Sequence, residues 1–84
     1  MKKVLSDREK EVAVLIARGL KDVEIARELF ISRRRVGELV ASIKRKLEIH
    51  SRVQIGIAAY FLGLITFEFN FNHGNHEGVA MINS

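Results

Sequence analysis

The chain contains no cysteine and no proline. Without cysteine there can be no disulfide and no thiolate metal site, and a reducing compartment is compatible with the sequence. Without proline there is no rigid linker and no imposed helix break, which suits a mostly helical chain. The basic start Met1-Lys2-Lys3-Val4 runs directly into charged residues and does not have the apolar stretch of a signal peptide. A long hydrophobic run is also missing. The richest stretch, Ile55 to Phe67, is too short and too interrupted for a membrane span, which takes about 18 or more apolar residues. Beyond Arg52 there is no Lys or Arg, only Glu68 and Glu77.

What remains is one small domain of 84 residues with a net charge of +4. A core this limited is marginal alone, so a stabilising partner is expected. The positive charge is concentrated: Arg33, Arg34, Arg35, Lys44, Arg45, Lys46 and Arg52 are opposed only by Glu38 and Glu48. Charge gathered on one segment is an electrostatic footprint for phosphate, although a basic helix face can also be simply solvated.

Ser6-Asp7-Arg8-Glu9 is a capping-box pattern. Val12, Leu15, Ile16 and Leu20 then recur at helical spacing, which predicts a first helix from about Asp7 to Arg18 with Gly19 as its stop. A second helix is expected from Asp22 to Phe30, with Asp22 and Glu24 at its positive end. Ile25 and Leu29 form its buried stripe, and Ala26 is small enough for a close helix approach. Ser32 is the natural cap of a third helix, about Arg33 to Leu47, whose inner face carries Val36, Val40, Ile43 and Leu47. At about 100° per residue, Arg34, Glu38, Ala41 and Arg45 lie opposite that face. The segment Glu24 to Val36 therefore has helix-turn-helix grammar, with arginines at the start of the helix that would enter a groove.

Ser51 caps a fourth helix, about Arg52 to Leu62, stopped by Gly63. Val53, Ile55, Ile57, Ala58, Ala59, Tyr60, Phe61 and Leu62 leave it few polar positions. A helix apolar nearly all round must be covered on more than one side. Self-association is the expected cover, and a C-terminal segment folded back on it is the alternative. Residues 66–84 change in character: Phe67-Glu68-Phe69-Asn70-Phe71-Asn72 alternates with a strand-like period, and His73-Gly74-Asn75-His76-Glu77-Gly78 reads as turn or loop. The domain boundary is thus placed at Ile65, followed by a strand-like and then disordered extension.

Leu5 to Val12, Leu15 to Leu20, Glu24-Ile25-Ala26, Leu29, Ile31-Ser32, Val36, Ile43, Lys46-Leu47, Ser51-Arg52-Val53-Gln54 and Gly63-Leu64-Ile65 follow one another at consistent spacing. As an ordered set they resemble the LuxR/FixJ/GerE family of bacterial transcription regulators. The resemblance implies an all-α, four-helix helix-turn-helix domain, no enzymatic activity and a bacterial, cytoplasmic protein. It also implies sequence-specific binding of double-stranded DNA as a homodimer, with the third helix in the major groove. RNA polymerase is a further implied partner; no membrane contact and no cofactor or metal are expected. Many family members carry another domain before this module. Met1 precedes the motif by only a few residues, which fits either a short stand-alone member or an excised domain.

The departures fall on the third helix. Where the family usually has Thr-Val-Lys-x-His, this chain has Arg35-Val36-Gly37-Glu38-Leu39. The usual serine or threonine opening the second helix is Lys21, which leaves capping to Asp22. On this reading Ser32, Arg33, Arg35, Lys44 and Lys46 bind phosphate, and Arg34, Gly37, Glu38, Ala41 and Arg45 form the base-reading surface. Val53, Ile57, Tyr60, Phe61 and Leu64 form the dimer contact. Arg52 either binds phosphate or pairs with an acid of the first helix. Gly37, Glu38 and Ala41 also motivate an alternative, a protein-interaction module of the same fold with reduced or lost DNA reading. Asp7, Glu9 and Glu11 are read as surface charges of a capped helix. His73, His76 and Glu77 have metal-ligand chemistry, but a flexible terminus is the simpler expectation for them, and a loop for His50.

Overall fold

A computed structural model describes residues 4–65 as four α-helices, with no strand among the described residues. They are α1 (Asp7–Ala17), α2 (Asp22–Leu29), α3 (Arg33–Leu47) and α4 (Arg52–Phe61). Each expected helix is present and ends within one residue of its expected end. The strand-like alternation, the His73–Glu77 cluster and the boundary beyond Ile65 fall outside the described residues.

Side-chain caps start three of the helices. The hydroxyls of Ser6, Ser32 and Ser51 accept from the N–H groups of Glu9, Arg35 and Gln54. Glu9 and Gln54 reach back to the N–H of Ser6 and Ser51, completing reciprocal boxes. Capping of α2 differs from the expectation. Lys21, not Asp22, is the N-cap, and its backbone N–H donates to Glu24 Oε1 at 2.7 Å. Asp22 is the first helical residue, and its carboxylate is used elsewhere.

One backbone device closes all four helices. The chain reverses through a left-handed residue, and the next N–H returns to a carbonyl five residues back: Leu20 to Leu15, Ile31 to Ala26, Ile49 to Lys44 and Leu64 to Ala59. Gly19 and Gly63 hold that conformation at φ 94° and 76°, at no side-chain cost. Phe30 and Glu48 hold it at φ 59° and 57° with a side chain present. That costs roughly 1–2 kcal/mol each.

Val12, Ile25, Val36, Ile43 and Ile55 are fully buried at the centre, joined by Leu5, Ala13, Leu39 and Ala59. Burying each of the larger aliphatic side chains contributes about 1.5–3 kcal/mol. α1 packs against both α3 and α4, while α2 packs chiefly on α3. Of the expected inner stripes, Leu20, Leu29 and Leu47 are only half-buried at the rim of the core. No helix among the described residues is long and apolar enough to cross a membrane.

Candidate nucleic-acid interface

The outer face of α3 is open along its length. Arg33, Arg34, Arg35, Gly37, Glu38, Ala41 and Arg45 are all exposed, so the structure brings the expected base-reading residues onto one surface. Arg34 has 90% of its side chain accessible. A Cβ placed on Gly37 would meet nothing within 4 Å, so the backbone there borders open space.

Lys44, Arg45 and Lys46 in the last turn of this helix suit its dipole, but the charge of the first turn is arranged against it. The first turn holds three arginines and no acid, at the end where the peptide dipoles are already positive. Each cation there costs about 0.3–1 kcal/mol. Some of that is offset by Glu38, which lies 3.3 Å from Arg35 and 3.8 Å from Arg34. These are exposed intrahelical pairs worth a few tenths of a kcal/mol, weak enough to exchange for a stronger anion. Ser32 Oγ accepts from Arg35 N–H at 3.0 Å and keeps its own O–H to donate. The N–H groups of the first helical residues point out of the helix end. The result is a set of donors with a positive field and little internal neutralisation.

Lys44 and Lys46 sit at the far end of α3 and are half-buried. Lys46 works inside the fold. Its Nζ donates to Glu9 Oε1 at 2.8 Å and to the Val4 carbonyl at 3.3 Å. Glu9 is 4% exposed, so it is not the surface charge that its position in a capped helix suggested. It also accepts from Ser42 Oγ and from the Ser6 N–H. Burial pushes the Glu9 carboxyl up, but the hydrogen bonds from Lys46, Ser42 and Ser6 and the Lys46 charge outweigh it. The carboxyl is held down at about 2. One buried carboxylate thus ties the start of α1 to two successive turns of α3. A signal for it exists in the sequence: Glu9 is spaced three, four and seven residues before Val12, Ala13 and Ile16, on the inner stripe of α1. Ser42 and Lys46 are four apart on the facing helix.

Arg52 is likewise structural. Its guanidinium donates to Asp22 Oδ1 at 2.7 Å and to the Leu20 carbonyl at 2.9 Å. The partner acid therefore comes from α2 and not from the first helix. The contact anchors the start of α4 to the turn between α1 and α2.

α4 turns Ile55 and Ala59 inward and leaves a continuous apolar face outside. Val53, Ile57, Tyr60 and Phe61 are exposed there, with Leu62 beside them. Leu64 is placed differently from the other expected contact residues. The reversal at Gly63 folds it back so that it packs, half-buried, against the core. His50 lies exposed in the loop before α4. Among the described residues no group of three or more His, Cys, Asp or Glu is placed to hold a metal ion.

The sequence that builds these helices has counterparts in known proteins. Residues 3–59 match the family model described as bacterial regulatory proteins, luxR family. The bialaphos biosynthetic pathway regulatory protein of Streptomyces hygroscopicus is 42% identical over 55 residues, covering 66% of this chain and 22% of that protein. A nitrate/nitrite response regulator protein homolog of Haemophilus influenzae is 47% identical over 49 residues, covering 58% and 24%. The transcriptional regulatory protein DesR of Bacillus subtilis is 44% identical over 50 residues, covering 60% and 25%. The chain spans about a quarter of the length of these relatives. All three are named as regulatory or response-regulator proteins. With four capped helices, an outward basic third helix and a family match over more than half its length, the chain belongs to the LuxR family of bacterial regulatory proteins.

Proposed function

We propose that the domain binds double-stranded DNA sequence-specifically as a homodimer and regulates bacterial transcription, with α3 lying in the major groove. The observation that carries this reading is the placement of Arg33, Arg34 and Arg35, exposed and consecutive, at the positive end of α3. That placement is unfavourable for the isolated helix and favourable only when an anion arrives. Arg33, Arg35 and the Ser32 hydroxyl clamp phosphate and fix register. Lys44 and the remaining N–H of Lys46 meet the backbone further along. Arg34 reads guanine from the exposed face, and Glu38 accepts from a cytosine amine. Gly37 and Ala41 let the helix approach closely, and Arg45 extends the surface. The apolar face of α4, through Val53, Ile57, Tyr60 and Phe61, supplies the contact between copies. The names of the relatives, two regulatory proteins and a response regulator, support a regulatory role. RNA polymerase is the further partner of this reading, and the bacterial cytoplasm its place of action.

One feature favours a second reading as an interaction module. Gly37 and Ala41 take polar readers away from the groove face. A charge-matched comparison separates the two. Arg33→Ala/Arg34→Ala/Arg35→Ala should abolish specific binding of a duplex and reduce the salt slope of any remaining binding by about 2, the value for two lost phosphate contacts. Arg8→Ala/Arg18→Ala/Lys21→Ala removes the same charge from elsewhere and should change affinity little. Equal losses from both triples would reduce the site to net charge alone, and no binding by the unaltered protein would favour the interaction module.

A further inference from the structure

Between α1 and α4 lies an apolar groove of about 700 Å³, a volume typical of sites that take substantial apolar groups. Ile16, Leu20, Ile57 and Tyr60 line its sides. Gly56 and Ala17 line it where the two helices come closest; a Cβ on Gly56 would stand 3.5 Å from Ala17 Cα.

We infer that this groove is the docking site of the chain's own segment 67–71, seated through Phe67, Phe69 and Phe71. The first argument is where the described chain ends. Ile65 itself lines the groove. Phe67 is only two residues further along, a reach of at most about 7 Å at 3.8 Å between consecutive Cα atoms. The second is pattern. The three phenylalanines alternate with Glu68 and Asn70, which puts all three rings on one side of an extended segment. The third is charge. Lys21 stands on the groove's lining, next to Arg52 with its partner Asp22, whereas the residues after Ile65 include Glu68 and Glu77 and no Lys or Arg. Docking covers Val53, Ile57 and Tyr60, side chains also proposed to meet a second copy. Occupation of the groove and self-association through α4 therefore exclude each other, and the chain carries a competitor for its own dimer face.

The absence of native cysteine permits a direct test on the full chain. Asn70→Cys carries a nitroxide, and the amide signals of Leu20, Gly56 and Ile57 are followed by NMR at low protein concentration without DNA. These signals should lose most of their intensity, while Val36 and Leu39 in α3 keep theirs. Phe67→Ser/Phe69→Ser/Phe71→Ser in the same labelled chain should restore the lost intensity. Full intensity in the labelled chain would overturn the proposal, as would broadening that survives the triple substitution. Broadening of an isotope-labelled, untagged chain by an added tagged copy would also overturn it, because the occupant would then be a second molecule. No DNA enters the measurement, so this proposal and DNA reading stand or fall separately.

Discussion

Replacing Glu9 by glutamine keeps the side chain's size and removes only its charge, which makes it a sharp test of the α1–α3 tie. In the fold the carboxyl is held at about 2, against an ordinary value of 4.5. At 1.36 kcal/mol per pKa unit, the ionised carboxylate contributes about 3 kcal/mol to folding at neutral pH. The variant additionally strands the Lys46 ammonium. That group is 34% exposed and can turn to water, so the further penalty is small. For a domain of this size 1 kcal/mol corresponds to about 4–8 °C, so Glu9→Gln should lower Tm by roughly 12–24 °C at pH 7. The pH dependence has a definite sign. A depressed folded pKa gives stability that is complete above about 4.5 and lost as pH falls toward about 2. The difference in unfolding free energy between native chain and variant should be flat from pH 7 to 5 and shrink between 5 and 2. Other carboxylates titrate in both proteins and cancel. Thermal and urea unfolding followed by circular dichroism measures it. A variant within about 0.5 kcal/mol of the native chain at pH 7, the usual range for a surface change, would refute the reasoning. So would a difference that does not vary between pH 5 and 2.

Arg34→Ala should relax preference at one base pair per half-site by about 1–3 kcal/mol while leaving the melting curve unchanged; equal weakening on every duplex in a binding titration would remove it as a base reader. Gly37→Ala should strengthen α3 by about 1 kcal/mol, since the new methyl meets nothing within 4 Å. The same substitution should weaken DNA binding, and undiminished affinity would show that the backbone does not approach the bases there. Phe30→Gly should raise stability by up to about 1 kcal/mol by relieving the left-handed backbone. Phe30 is 92% exposed, so little packing is lost; a lower urea midpoint would mean that the ring is held by contacts of its own.

Local signals in the sequence translated directly into structure. Ser6, Ser32 and Ser51 mark helix starts because a hydroxyl satisfies an N–H only three residues on. Gly19 and Gly63 mark ends because glycine tolerates the left-handed turn. Phe30 and Glu48 occupy the same conformation and give no such signal; there the tertiary fold overrides a local preference. The outward face of α3 was legible from helical period alone, since Arg34, Glu38, Ala41 and Arg45 stay on the side opposite Val36, Val40 and Ile43. The roles of Lys46 and Arg52 were not. Their partners are 37 and 30 residues away in sequence, and nothing local fixes which helix a long cation will meet. A buried carboxylate among charged neighbours is equally hidden, because Glu9 serves as an ordinary cap through Oε1 while both of its oxygens also accept from α3. On α4 the sequence identified an excess of apolar surface and Gly63 as the stop; that the reversal there leaves Leu64 half-buried against the core rests on its N–H returning to the Ala59 carbonyl, which no local pattern announces.

The most direct test of the central claim is selection of the intact protein against a random-sequence duplex pool at moderate salt, followed by sequencing of what is retained. A dimer placing α3 in the major groove twice predicts an enriched inverted repeat with half-sites about one helical turn, 34–36 Å, apart. Retention of duplexes with no enriched sequence, or no retention even at low salt, would contradict it.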